Sequence, residues 1–354
     1  MALLSNSNIG IGRRNYIING DFRLWQRGTD RLNITSSGSR TYLADRFYVS
    51  NFSDGVLRYT QSQSVPTVSE SGHYFTDSLY FIVTTADTSL SSSQYSAIGY
   101  SVEGYDARAL YANTYITLSF WIRAYKTGIY SLSIRNATPD RSYVSEYVIN
   151  QSNAWEKKII TIPMYSGLSS GTWETTYNEG FSIWWTIAAP SGGTYSTSTL
   201  NTWLNGNYIA SNNQVNGLDS INNEVRLNGV QLEVGSIATD FEMRHISEEL
   251  NLAKRYCQII QGGSGSASST TSAEFAISFS PSMRTTPSTV TASAAMKIED
   301  PAVTGYTQSA AAANLQYASS YGCKLILGNF TGLTAAKPYI IRGDGGYVLF
   351  SAEL

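Results

Sequence analysis

Between Tyr42 and Glu233 the apolar residues recur mainly with a period of two, in short runs broken by Gly, Asn, Ser, Pro and Asp. Successive side chains of an extended backbone point to opposite faces, so this pattern calls for strands that rest one face on a core, and no helical period competes with it. The clearest runs are YITLSFWIRA (115–124), YSLSIRN (130–136), EKKIITIP (156–163), FSIWWTI (181–187) and EVRLNGVQLEV (224–234). In the first, Ile116, Leu118, Phe120 and Ile122 share one face, and Thr117, Ser119, Trp121 and Arg123 share the other. Lys126-Thr127-Gly128 supplies a turn glycine, which predicts that the first two runs pair as a hairpin. Many short antiparallel strands with regular turn signals favour a two-sheet sandwich or jelly roll. No short repeat of the kind that builds a stacked β-helix is present.

The length of 354 residues suggests two domains by the usual span of roughly 100 to 200 residues each. Charged residues make up only 14%, and 24 Lys+Arg against 26 Asp+Glu leave a net charge of −2, so no broad field draws the chain to nucleic acid or to an anionic membrane. The polar surface must come from Ser, Thr, Asn, Gly and the 25 tyrosines, a composition suited to neutral or weakly charged polymers. Cys257 and Cys323 fall in different segments and read as buried free thiols, with no disulfide framework or zinc spacing. The N-terminal MALLSNSNIGIGRRN lacks a secretion pattern and no run is long enough to span a bilayer, so a soluble protein made in a cytoplasm is expected.

Helical character begins at Ile246, with Ser247 placed to cap the first turn, Glu248 and Glu249 at the positive end of the dipole, and Lys254 and Arg255 toward the other end. The helix is expected to run to Gly262-Gly263. Ile246, Leu250, Ala253, Cys257 and Ile260 then form a seam of coiled-coil type, and Leu252, Tyr256 and Ile259 a second apolar row. One row is expected to pack on its own chain and the other to meet sister copies around an axis; a helix sandwiched between two domains of one chain is the alternative. A second β region follows a Gly/Ser-rich connector, with strands at 275–280, 288–293, 315–317 and 324–330 and a closing hairpin YIIRGDGGYVLFSAEL that turns at Gly343-Asp344-Gly345-Gly346. Arg342-Gly343-Asp344 spells an adhesion tripeptide but reads as a plain turn.

Several phrases carry a resemblance. Asn19, Gly20, Asp21, Phe22, Trp25, Gln26, Arg27, Gly28 and Thr29 are followed by Ala44, Asp45, Arg46 and Phe47. Later come Val230-Gln231-Leu232-Glu233-Val234-Gly235, Ala238-Thr239, Phe241-Glu242, Glu248-Glu249-Leu250 and Arg255-Tyr256, then Pro281 to Pro287 and the closing Ser351-Ala352-Glu353-Leu354. Together they resemble a fibre-protein family of tailed bacteriophages and prophages over nearly the whole chain. Two positions depart from its pattern, Asp240 and His245. The resemblance implies an all-β protein: an N-terminal carbohydrate-binding-like jelly-roll β-sandwich, a short linking α-helix and a small C-terminal antiparallel β domain, assembled as a homotrimer. The expected division is residues 1–14 for virion attachment, 15–243 for the sandwich, 244–262 for the linking and trimerisation helix, and 263–354 for the distal domain. By its residues alone the N-terminal phrase is structural: Phe22, Trp25 and Phe47 anchor the first sheet, and Asp21, Arg27, Asp45 and Arg46 form a paired network.

No H-E-x-x-H, G-x-S-x-G or phosphate-cradling loop occurs, and neither His73 nor His245 sits in a triad setting. No cofactor, metal site or enzymatic activity is expected. Glycoside hydrolysis needs only two carboxylates, and Glu174 with Glu179, beside Trp173 and Tyr177, is the pair to test first. For binding, Trp173, Tyr177, Tyr195, Trp203, Asn205 and Tyr208 gather aromatic faces beside amides and hydroxyls, the chemistry that holds sugar rings; for Trp203 and Tyr208 the preferred role is folding their loop onto the sandwich. The expected protein is a homotrimeric virion subunit, exposed on the particle and assembled in the bacterial cytoplasm. Its partners are other virion proteins of tail, collar or capsid through the N-terminus and a host cell-surface polysaccharide, with no nucleic acid and no membrane insertion. A structural head or collar decoration and a glycan depolymerase are the competing readings.

Overall fold

In the computed structural model of the chain, residues 13–293, 296–302, 307–309, 312–342 and 346–354 are described. The segment 1–14, expected to serve in attachment, therefore falls almost wholly outside the described residues, as does the expected turn at 343–345. The chain divides into two compact units, Met1–Arg244 and His245–Leu354.

The first unit is an antiparallel β-sandwich of jelly-roll type. One sheet has six strands in the order Asp30–Ile34, Val56–Ser62, Ser78–Thr85, Glu224–Val234, Ile116–Ala124, Glu156–Ile162. The other has seven, in the order Trp203–Asn205, Arg141–Ile149, Gly128–Asn136, Glu179–Ala188, Tyr95–Glu103, Phe47–Phe52, Arg40–Tyr42. The period-two pattern does its work here. Ile116, Leu118, Phe120 and Ile122 of one sheet meet Ile98, Tyr100, Ile183 and Trp185 of the other in a single core. The expected hairpin between Ile116–Ala124 and Gly128–Asn136 does not form. The former pairs with Glu156–Ile162 and Glu224–Val234, the latter with Arg141–Ile149 and Glu179–Ala188. The link at 125–127 instead carries the chain from one sheet to the other, which lets both strands bury their apolar faces against each other rather than side by side.

The widely separated phrases 15–29 and 230–244 prove to be two halves of one clasp. The Asn15 side chain donates to the Val230 carbonyl at 3.1 Å and accepts from the Leu232 amide at 3.0 Å, while the Tyr16 amide donates to the Leu232 carbonyl at 2.8 Å. A Cβ on Gly20 would lie 2.1 Å from the Val230 carbonyl oxygen, so only glycine lets the backbones approach this closely. Arg244 closes the clasp by donating to the carbonyls of Asn15 and Ile17 and pairing with Glu242. Of the expected charge network, Arg27 and Asp45 pair at 3.6 Å, whereas Asp21 pairs with Arg23 and Arg46 donates to the Ser101 carbonyl. Phe22 and Phe47 are buried in contact, with centroids 4.5 Å apart, and Trp25 packs at the core's edge.

The second unit opens with the helix Ile246–Lys254, capped by His245, whose Nδ1 accepts from the Ser247 amide at 3.3 Å. Ser247 is thus the donor and not the cap. The expected helix to residue 262 is corrected. Chain direction changes after Lys254, and Cys257–Ile260 is a strand pairing antiparallel with Val348–Ser351. The seam of five therefore breaks: Ala253 and Cys257 are fully buried within this unit and Ile260 lies in the strand, leaving Ile246 and Leu250 on accessible helix surface. The 4, 3, 4, 3 spacing misled because backbone pairing with a strand some ninety residues later outweighs a short helix's own propensity.

The closing hairpin is corrected as well. Val348–Ser351 joins Cys257–Ile260 and Thr289–Ala292 in a three-stranded sheet. Pro338–Ile341 belongs to a seven-stranded sheet ordered Thr307–Ser309, Lys297–Glu299, Pro338–Ile341, Gly263–Ala267, Ala273–Ser278, Gly322–Gly328, Ala312–Gln316. Cys323 is a free thiol pushed up to about 11 by burial, and Cys257 is likewise buried.

Candidate binding face

The same alternation that sends Trp185 into the core sends Trp184 to the outer face of the seven-stranded sheet, and the register aligns what lies beside it. Trp184 is level with Gly99 on one neighbour and Ser133 on the other. Gly99 is in turn level with Tyr48, and Tyr48 with Tyr42. The next row runs Ser101, Ser182, Arg135, Ser142. Small side chains dominate, so the few large ones lie down across the sheet. A Cβ on Gly99 would sit 2.2 Å from the Tyr48 ring, which shows that the ring crosses directly over the glycine.

Two guanidiniums cover this floor. Arg135 lies 4.2 Å above the Trp184 ring and donates to the Asn207 side chain; Arg40 lies 4.8 Å above Tyr48. Each cation sits on a negative ring face and each ring is held in one orientation. Glu179 receives Arg40 in a forked pair and accepts from the Ser101 hydroxyl at 2.8 Å. Burial raises the Glu179 pKa, but the Arg40 charge and its hydrogen bonds prevail, and the carboxyl is held below its ordinary value. Burial pushes the Tyr48 hydroxyl up to about 12, so it remains neutral. The Ser133 hydroxyl and the Arg135 Nε are buried without a hydrogen-bond partner among the described residues. Groups of this kind are costly unless something completes them.

The stretch 190–217 is fastened along one side of the face. The Ile209 carbonyl accepts from the Thr186 hydroxyl at 2.6 Å, the Ser211 amide donates to Ser131 Oγ at 2.8 Å, and the Tyr208 amide donates to Ser142 Oγ at 3.2 Å. Tyr195 stands edge-on to Tyr95, with centroids 5.1 Å apart, and Tyr95 in turn meets Trp184. Tyr195 and Tyr208 are half-buried at this border, so of the six residues singled out by composition these two belong to the face.

The other four lie elsewhere. Trp203 is buried, donates to the Pro163 carbonyl at 2.8 Å and packs over Gly167, fastening its loop to the sandwich. Trp173 packs edge-on between Tyr111 and Trp203, with its indole donating to the Ser170 carbonyl. Asn205 accepts from Arg141 at 2.8 Å, and Tyr177 is exposed. Trp173 and Trp203 therefore come together, but as packing. Glu174 accepts from the Thr176 hydroxyl and amide, which hold its carboxyl below the ordinary value, as Arg40 holds that of Glu179; both carboxyls are biased toward the ionised form.

The sequence by itself does not single out Arg40, Tyr48, Arg135, Ser133 or Trp184. A signal existed: in FSIWWTI strict alternation puts one of two adjacent tryptophans off the core, flanked there by Ser182 and Thr186. What brings the arginines to it is strand order, which the residues do not spell out. Among the described residues no group of His, Cys, Asp or Glu side chains is placed to hold a metal, and no helix is long and apolar enough to cross a membrane.

No described protein family matches the chain, and no curated protein matches it. Solved structures similar to it include a putative sugar binding protein from Bacteroides thetaiotaomicron, at 13% identity over 63% of this chain and 100% of that one, with a TM-score of 0.34. A family 11 carbohydrate-binding module from Clostridium thermocellum, in complex with a mixed-linked tetrasaccharide, matches at 12% identity over 60% of this chain and 98% of that one, TM-score 0.30. The enzymatically active domain of bacteriophage CBA120 tailspike protein 4 matches at 12% identity over 62% of this chain, with a TM-score of 0.32, and the match spans 21% of that chain. Superpositions this loose say nothing about what the chain binds.

Proposed function

We propose that this chain is a non-catalytic glycan-binding subunit of a phage fibre or spike, and that the outer face of its seven-stranded sheet holds the sugar. The observation that carries the reading is the pair of guanidiniums, Arg40 on Tyr48 and Arg135 on Trp184, laid side by side on the outer face with half-buried Tyr195 and Tyr208 at its border. Saccharides match such a surface: rings of C–H groups pack on tyrosine at the border, and hydroxyls accept from the guanidiniums. Little ordering is needed, because the floor is a sheet and its large side chains are already stacked. The resemblance of residues 19–29, 44–47 and 230–256 to phage fibre phrases supports a virion location and a host-surface polysaccharide as the ligand.

Removing the guanidinium by Arg135→Ala is expected to weaken retention on polysaccharide-bearing host cells roughly tenfold or more, the loss typical of a charge-assisted hydrogen bond. Cell-binding titrations with wild type and variant, on cells with and without their surface polysaccharide, check this. Because the Arg135 Nε is buried, thermal melting of the variant checks in parallel that the sandwich is retained. Equal retention on both cell types, or an unaffected variant, removes the proposal.

Trimeric assembly belongs to the same reading. Ile246 is 39% exposed and Leu250 stands one turn further along the same helix face, a short apolar stripe for sister copies to cover. Three sites held together raise avidity by roughly 10² to 10⁴ over one when geometry permits. Sedimentation velocity is expected to give a trimer for wild type and a monomer for Ile246→Asp with Leu250→Asp. A monomeric wild type at micromolar concentration overturns the assembly without touching the sugar site.

A further inference from the structure

We propose that the second unit carries its own saccharide site, built on the loop between Ala312–Gln316 and Gly322–Gly328 and separate from the sandwich face. Tyr317 and Tyr321 stand at the two ends of this loop and are 86% and 75% exposed, values that leave nearly a whole ring face of each open to solvent. They border a groove of about 660 Å³ whose floor includes Ser264, Ser266 and Ala276 of the adjoining strands. That volume lies within the range of small-ligand sites, roughly 300 to 1,000 Å³.

The loop is held rigidly from beneath. The Ser319 amide and hydroxyl both donate to the Gly322 carbonyl, at 2.9 and 3.2 Å, and the Tyr321 amide donates to Ser319 Oγ at 3.2 Å. The carbonyls of Ser320 and Tyr321 accept from the amides of Met283 and Phe279, each at 2.8 Å. Tyr317 holds a backbone φ of 51°, a left-handed conformation that a bulky residue adopts only where its surroundings impose it. The backbone of the loop is held by these bonds, and the Tyr317 ring stands open to solvent.

Chemistry selects the ligand. Lys324 and Glu274 of the lining pair at 3.1 Å and neutralise each other, and Lys324 also lies 5.4 Å from the Tyr317 ring centroid. Among the described residues the lining carries no surplus charge, and its serines interrupt an otherwise aromatic and aliphatic surface. An uncharged oligosaccharide finds aromatic faces for its C–H groups, with an ammonium, a carboxylate and hydroxyls for its own hydroxyls. Strand residues with small side chains keep the groove open enough for a ring to lie flat.

Nitration by tetranitromethane, mapped residue by residue on the full chain, tests this with cellotetraose, maltotetraose and galactotetraose as probes. Tyr74 and Tyr165, 80% and 73% exposed in the other unit, are internal controls. At saturation one of the probes is expected to slow nitration of Tyr317 and Tyr321 on the order of tenfold while the controls react unchanged, as occupancy of a site requires. Tyr317→Ala with Tyr321→Ala, both at exposed positions, is expected to lose that saccharide's binding in the second unit. Arg135→Ala keeps the protection, which separates this site from the one on the sandwich. The proposal is overturned if none of the three probes protects the pair beyond the controls. Protection that instead rises with protein concentration in the absence of sugar assigns the groove to a second copy of the chain and overturns it too.

Discussion

Trp185→Ala is expected to lower the stability of the sandwich by about 3–5 kcal/mol, the cost of removing a large aromatic from a sealed core. Trp185 is fully buried, with its ring edge-on to Phe120 at 5.8 Å and tilted against Phe47 at 6.2 Å, so it touches both sheets. The residues around it are strand-borne and cannot collapse into the space without breaking ladder pairings, which places the loss toward the top of the range. Urea denaturation followed by tryptophan fluorescence measures it. A loss below about 1.5 kcal/mol means that the two sheets are not joined through this ring.

Glu179→Ala has the second large effect, and it reaches the candidate site directly. Without the carboxylate, Arg40 keeps its place over Tyr48 but loses its counter-charge. An ion broken out of a well-buried pair costs about 3–5 kcal/mol; because Arg40 and Glu179 side chains are 27% and 12% exposed, about 2–4 kcal/mol is expected here. Replacing both partners by leucine restores much of that stability, since no lone charge is left. The pH dependence has a definite sign. The folded pKa of Glu179 lies below the ordinary 4.5, so its contribution is fully present above that value and fades as pH falls through the lowered one. Wild type is expected to lose stability more steeply than Glu179→Gln on acidification below about pH 4.5, as melting temperatures across an acid series report. Parallel acid profiles for the two proteins contradict this account of the pair.

How far the residues could be read depended on the distance over which their partners lie. The strands at 116–124, 156–162, 181–187 and 224–234 were legible because side-chain direction is a local property with a period of two. So was the start of the helix at Ile246, where acidic residues meet the N-terminal dipole. Which strands become neighbours was not legible. The hairpin expected at Lys126 and the closing hairpin both place consecutive strands side by side, whereas the chain sends them to different sheets. The candidate site suffered from the same limit. Aromatic-rich loops point to Trp173 and Trp203, which pack inward, while Arg40, Tyr48, Arg135 and Trp184 come from four separate strands and are ordinary one at a time.

Composition and periodicity by themselves determined that this protein is β-built, sparsely charged and rich in hydroxyls, with one tryptophan of Trp184-Trp185 bound for the core. They determined these things because propensity, alternation and net charge are sums over near neighbours. Only the tertiary structure decided that residues 257–260 leave the helix for a strand, that Gly99 makes room for a ring from the next strand, and that two cations lie over one aromatic floor. Each of those outcomes is a competition between backbone pairings far apart in the chain, and its result depends on which alternative buries more apolar surface while leaving fewer polar groups unpaired.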